Sequence, residues 1–406
     1  MITTQAEWLH SNTMHCLNHK QGNRNRRKTK IILLIVLFVL ATLLAWQRYA
    51  EVDTNTAKTE EAAVTELRFI RNHTCTPKGQ VGTKTGPGGA EKHHVFFLKV
   101  HKAASTTVQN VLLRFSLSRQ LKVMLPRSGH ILSQRKKHWL ARALSLPPNV
   151  PAFDILCNHI VFDEEAVRAR LYPDSIFIGI VREPVDQFVS AFNYYRNRYG
   201  TKYLKKVPDI STYLSNPERW EPRDLEGSYT NNRMSFDFGI DPVRIRNQSY
   251  VADYIEYLNK TFHLVLISGR FDESMILMRR YLGWKMKDVL YIKNNAYKNK
   301  KSAFTEKQKI AHRRFNMADY ALYEHFSNLF DKRVAAEGKE FREEMQVYTS
   351  VRNSVEMFCG DNSTGNDYLN VDATLWSEGF YVSKANCILM TMTEESLVNA
   401  VRLQLL

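Results

Sequence analysis

Apolar residues fall along the chain in three patterns. The first is an unbroken run from Ile31 to Trp46 that contains no charge. The second is a series of short β-branched and aromatic stretches with the length and content of buried strands: His94-Val-Phe-Phe-Leu-Lys-Val100, Phe153 to Cys157, Ile176-Phe-Ile-Gly-Ile-Val181 and Phe262 to Ser268. The third recurs at helical spacing after these stretches. Val108, Val111, Leu112 and Phe115 follow the first; Phe188, Phe192, Tyr194 and Tyr195 follow the third; a helix around Asp272 to Tyr281 follows the fourth. Strands alternating with helices predict an α/β domain with a mainly parallel central sheet. Such sheets bind ligands beyond their C-terminal strand ends, so Lys102, His159 and Arg182, each just past a strand, are expected to converge.

The Ile31 to Trp46 run reads as one membrane span. Its 16 residues suit the thin membranes of the secretory pathway, with Lys30 and Trp46 as interfacial anchors. A cleaved signal peptide would need small residues at the −1 and −3 positions, and these are missing around Ala45 and Ala50. Arg24, Arg26, Arg27, Lys28 and Lys30 precede the run, whereas Arg48, Glu51 and Asp53 follow it. The expected organisation is therefore type II: a cytosolic tail (1–30), a signal anchor (31–46), a lumenal stem (47–90) and a lumenal domain (91–406). The stem assignment rests on a Thr-, Glu-, Ala- and Gly-rich composition that ends in Gly86-Pro87-Gly88-Gly89. Glycosylation sequons at Asn72, Asn247, Asn259 and Asn362 all fall on the lumenal side.

The layout is that of a membrane-tethered Golgi protein, and it applies equally to enzymes, receptors and adhesion ectodomains. Five cysteines in 406 residues exclude a disulfide-built scaffold. Cys75, Cys157, Cys359 and Cys387 allow three pairings in an oxidising lumen; Cys359 with Cys387 is favoured, because Cys157 ends an apolar strand and fits a buried thiol. With 57 Lys and Arg against 41 Asp and Glu the net charge is +16, enough to raise the question of nucleic acid. The basic run around Lys285, Lys287, Lys293 and Lys298-Asn-Lys-Lys301 lies on the lumenal side, where a solvated surface or attraction to an anionic substrate explains it better.

Chemistry is concentrated at two strand ends. The first strand enters His101-Lys102-Ala103-Ala104-Ser105-Thr106-Thr107, with Ser105 or Thr106 as the expected cap of the helix that follows. A basic loop leading into a helix N-terminus forms a phosphate cradle, since free backbone N–H groups and the helix dipole face the anion. The alternative is a plain capped turn. The Walker A spacing is absent, which removes the main support for triphosphate hydrolysis. The third strand ends in Arg182-Glu183-Pro184, and Ser190 lies two helical turns on, so that a guanidinium fork and a hydroxyl could hold a second phosphate.

Together the two motifs resemble the 5′-phosphosulfate loop and the 3′-phosphate motif of sulfotransferases. More narrowly, Phe97 to Val111, Asn232-Arg-Met-Ser-Phe-Asp-Phe-Gly239 and Phe271-Asp-Glu-Ser-Met-Ile-Leu-Met-Arg-Arg280 resemble the galactose-3-O-sulfotransferase family, over about Val95 to Phe330. Val100 and Ala103 depart from it where members commonly carry Thr. The resemblance implies a P-loop-like three-layer sandwich and transfer of a sulfuryl group from 3′-phosphoadenosine 5′-phosphosulfate (PAPS), without a metal, to the 3-hydroxyl of a β-linked galactose on a glycolipid or glycan. Lys102 would stabilise the leaving group, and Ala103, Ala104, Ser105, Thr106 and Thr107 would bind the 5′-phosphate through backbone and hydroxyl groups. Arg182 and Ser190 would bind the 3′-phosphate. His159 is the favoured base; His101 is the other candidate, or with Lys99 it orients acceptor or sulfate. Apart from the resemblance, the polar-aromatic stretch holding Asn231, Asn232 and Asp237 has two readings, a plain polar surface loop or an acceptor site with Phe236 or Phe238 against a sugar face. A homodimer is compatible with the sequence.

Two other functions share the anchor and the compartment. Many type II glycosyltransferases use a D-x-D metal motif, which is absent after the stem, and a lectin-like ectodomain would need neither phosphate motif.

Overall fold

The computed structural model describes residues 89–135, 139–198, 201–293, 304–361 and 367–405. The expected tail and anchor, nearly all of the stem, Cys75, the sequons at Asn72 and Asn362 and the Lys298 to Lys301 run lie outside them. Among the described residues no helix is long and apolar enough to cross a membrane.

Four parallel strands form the central sheet: β1 (Val95–Phe97), β2 (Ile155–Leu156), β3 (Ile176–Val181) and β4 (Leu264–Ile267), in the order β2-β1-β3-β4. Every residue in them is buried, which is why they read in the sequence as continuous apolar runs. β1 and β2 are shorter than the stretches that announced them. Leu98 still donates its N–H to Ile178 beyond the end of β1, and Phe153 bridges to Leu171 before the start of β2. Phe96, Phe162, Phe177 and Phe262 form an aromatic cluster around this sheet, with ring centroids 4.9 to 6.3 Å apart.

The helices that matter for the site are α1 (Ser105–Arg119), α2 (Glu164–Arg168), α3 (Pro184–Asn193), α4 (Arg233–Asp237), α5 (Gln248–Thr261), α6 (Phe271–Leu282) and α7 (Met317–Gly360), the last broken at Gly338, where φ is 72°. The crossover from β1 to β2 runs in the opposite direction to that from β3 to β4. Right-handed crossovers therefore place α1 on one face and α5 on the other, and the strand order switches between β1 and β3. α7 packs against β4, α5 and α6. An antiparallel hairpin, β5 (Tyr368–Val371) with β6 (Phe380–Ser383), leads into α8 (Lys384–Thr391) and α9 (Glu394–Leu405), both of which pack on α1. Cys359, at the end of α7, is bonded to Cys387 of α8, with Cα atoms 5.3 Å apart, and Cys157 is a buried free thiol. Asn247, an exposed residue, caps α5 by accepting the Tyr250 N–H at 3.1 Å, and Asn259 is partly exposed on the same helix.

Candidate functional site

The switch point between β1 and β3 collects the residues singled out in the sequence. β1 feeds a loop in which Lys102 and Ala104 both have positive φ, 59° and 61°. Non-glycine residues hold that conformation only where their surroundings enforce it. Three contacts do so here. Ser105 Oγ donates to the Val100 carbonyl at 2.6 Å, Gln187 Nε2 to the His101 carbonyl at 3.1 Å and Arg182 Nη1 to the Lys102 carbonyl at 3.0 Å. The last contact joins the two strand-end motifs directly.

The cap of α1 is Ala104, not Ser105 or Thr106 as the sequence led us to expect. Ala104 lacks a capping side chain and the first turn carries no acid, so the N–H groups of Ser105 and Thr106 are left for an external anion, while that of Thr107 turns back to the Ala104 carbonyl at 3.2 Å. Ser105 is buried and its hydroxyl is used internally, so it can serve an anion only through its N–H; Ala104 and Thr106 are exposed and Thr107 is partly so. Ala103 is fully buried, where a small apolar side chain packs. The Lys102 ammonium lies 3.5 Å from the centre of the Tyr194 ring. Arg182 is partly exposed, and burial lowers its pKa from the usual guanidinium value; Ser190 is partly exposed on α3.

The two histidines stack on each other, with ring centroids 4.1 Å apart. His159 is partly exposed and its Nδ1 lies 2.8 Å from the Lys99 carbonyl; with the proton there, Nε2 is the basic nitrogen. His101 is 3% exposed, and its Nδ1 and backbone N–H both reach Asp237 Oδ2 at 2.7 Å, while its Nε2 has no partner. Burial, then the neighbouring charges of Arg233, Lys99 and Lys102, holds His101 well below the ordinary imidazole value; burial, then His101 and Lys99, does the same for His159. Both rings are therefore neutral near pH 7. Tyr229 and Tyr195, stacked at 3.7 Å, stand beside them, the Tyr229 ring 5.8 Å from His101.

Asn232, Asp237, Phe236 and Phe238 do not form the sugar-facing surface that the sequence led us to expect. All four are buried. Asp237 pairs with Arg233 at 2.9 Å as well as with His101; burial pushes its carboxyl upward and the guanidinium opposes that. Asn232 Oδ1 accepts the N–H groups of Ala318 and Asp319 at the start of α7, while Asp319 accepts those of Met234 and Ser235 in α4, so the two helices cap each other. Phe238 packs on Phe262 and Phe326, and Asn231 is partly exposed and bonded to Asn232. Lys99 is buried as well, with Nζ 2.5 Å from Gln109 and 2.6 Å from Glu394. Arg233, Gln109, Tyr229 and Glu394 were not singled out in the sequence; the spacing of Arg233 and Asp237, i and i+4 on one helix face, is the one local signal that could have found a member of this group. Among the described residues no cluster of His, Cys, Asp and Glu is arranged to hold a metal ion.

A family model described as galactose-3-O-sulfotransferase matches residues 13–373. Galactose-3-O-sulfotransferase 3 of Mus musculus is 35% identical over 268 residues, 63% of this chain and 60% of that protein. Galactosylceramide sulfotransferase of Mus musculus is 31% identical over 323 residues, 78% of this chain and 75% of the relative. Galactose-3-O-sulfotransferase 2 of Homo sapiens is 31% identical over 271 residues, 66% of this chain and 68% of the relative. The chain thus spans between about three fifths and three quarters of these relatives.

Proposed function

Because the chain belongs to the galactose-3-O-sulfotransferase family, we propose that it transfers a sulfuryl group from PAPS to the 3-hydroxyl of a β-linked galactose on a glycolipid or glycan. Family membership sets aside the glycosyltransferase and lectin readings. The observation that carries the proposal is the hydrogen bond from Arg182 to the Lys102 carbonyl, which ties a guanidinium to an uncapped, acid-free helix N-terminus at the switch point of a parallel sheet. A P-loop-like three-layer fold fits this topology.

When bound, the donor supplies an activated sulfuryl group and a nucleotide leaving group. The N–H groups at the start of α1 and the Thr106 hydroxyl bind its 5′-phosphate, and Arg182 with Ser190 binds its 3′-phosphate. Lys102 leaves the face of Tyr194 to stabilise charge on the departing oxygen. His159 takes the proton of the galactose hydroxyl at Nε2. Its partial exposure favours it over His101, which lies behind it against Asp237. We further place the domain in the Golgi lumen behind a type II anchor; the sequons and the Cys359–Cys387 bond support that reading.

The test is sulfate transfer from labelled donor to a panel of β-galactosides, galactosylceramide included, with a chelator present. Transfer to the galactose 3-hydroxyl is expected, with Lys102→Ala and Arg182→Ala each losing most activity while remaining folded. A folded Arg182→Ala protein with wild-type activity would refute the 3′-phosphate role.

A further inference from the structure

Lys99 has no access to solvent, yet its side chain ends in an amine that is charged in water. Removing such a charge from water is costly unless it is paired and hydrogen-bonded. Two side chains do this: Gln109, from the helix behind the phosphate loop, and Glu394, the first residue of α9. Lys99 also offers its carbonyl to His159 Nδ1, which fixes the imidazole whose other nitrogen is the proposed base. One residue therefore links the proton acceptor, the phosphate helix and α9. The family match ends at residue 373, so α8 and α9 lie beyond it, held to α7 by the Cys359–Cys387 bond and packed on α1.

We propose that Glu394 is a positioning residue for sulfotransfer: α9 completes the active site from outside the family-matched region by supplying the carboxylate that pairs with Lys99, the residue whose carbonyl holds His159. This rests on the sulfotransferase reading given above. The groups facing Lys99 are Glu394 on α9, Cys157 at the end of β2, His101 in the loop and His159 after β2. Cys157 is pushed up to about 12 by burial and stays a neutral thiol, so Glu394 supplies the anionic charge in this set. Burial already lowers the Lys99 pKa, and Glu394 opposes that. Without the carboxylate the Lys99 pKa falls further, its repulsion of both imidazoles weakens, and both become easier to protonate.

The experiment is the pH dependence of kcat/KM for Glu394→Gln in the full chain, beside wild type and beside Glu395→Gln, its exposed neighbour. The acid limb of Glu394→Gln is expected to move to higher pH, with about a tenfold loss of kcat/KM on the acid side. Glu394→Asp, which keeps the charge, moves it back, and Glu395→Gln follows wild type. If Glu394→Gln does not fold, the pair Lys99→Met with Glu394→Leu removes both charges, and it should fold and show the same displaced limb. A Glu394→Gln enzyme with reduced thermal stability and an unchanged pH profile would overturn the positioning role while leaving the sulfotransferase reading intact. Absence of transfer by the wild-type chain in the same assay would instead refute that reading.

Discussion

Asp237 offers the sharpest test of how the site is held. Its carboxylate is fully buried and accepts from the His101 backbone N–H, His101 Nδ1 and Arg233, itself 1% exposed. Asp237→Asn preserves shape and one acceptor oxygen but leaves the guanidinium without its counter-ion. Breaking a buried ion pair from one side costs about 3–5 kcal/mol. In a domain of this size that lowers the melting temperature by about 5–8 °C. Calorimetry or near-UV circular dichroism measures it. Arg233→Met alone should cost a similar amount, for it strands the carboxylate instead. The double variant should be more stable than the sum of the two losses implies, because neither charge is then left unpaired. A loss below about 2 °C for Asp237→Asn, or strict additivity in the double variant, would mean that water screens the pair and that the geometry around His101 does not depend on it.

Three further outcomes follow from the same structure. Burial holds His159 and His101 well below 6.5, so kcat/KM should stay level as pH falls through 6.5, and the acid limb should begin below it; a limb at or above 6.5 would contradict the neutral stacked pair. The sign for stability is opposite to that of a salt-bridged histidine: the unfolded chain takes up protons first, so unfolding becomes easier as pH drops below about 6.5. Replacing Cys359 and Cys387 with Ser opens a link spanning 28 residues and should cost about 3–4 kcal/mol in thermal or denaturant unfolding. Gly179→Ala in β3 places a Cβ 2.8 Å from Phe238 Cζ, and the overpacking should cost about 1–3 kcal/mol without altering donor binding measured by calorimetry.

The sheet was legible because each strand is buried on all sides and therefore spells an unbroken apolar word. The convergence of Lys102, His159 and Arg182 followed from strand direction alone. The helix start departs from expectation for a local reason: Ala104 caps α1 in the left-handed region, a conformation alanine does not announce, and one bond within the loop and two from α3 and the end of β3 hold the loop in place. The stretch from Asn231 to Phe238 was misread for a global reason. Polar residues among aromatics suggest a surface loop that binds sugar, but here the polar atoms cap a helix more than eighty residues away and the rings fill the core. Glu394 had no local signature, since a glutamate at the start of an amphipathic helix is the commonest of surface features.

Glu394 lies 295 positions after Lys99, and the order of synthesis gives that separation a meaning. A chain leaving the ribosome presents the phosphate loop early and α9 near the end of the described residues, so the loop spends most of translation with a lysine that cannot yet be buried. The buried surroundings of Lys99 are therefore not complete until α9 has been made. They close in a late step, after the segment beyond Cys359 has folded back across α1. A polypeptide ending before α9 would retain both nucleotide motifs and still lack the partner that lets Lys99 enter the interior. Such a polypeptide would be a nearly complete domain with one persistently open seam.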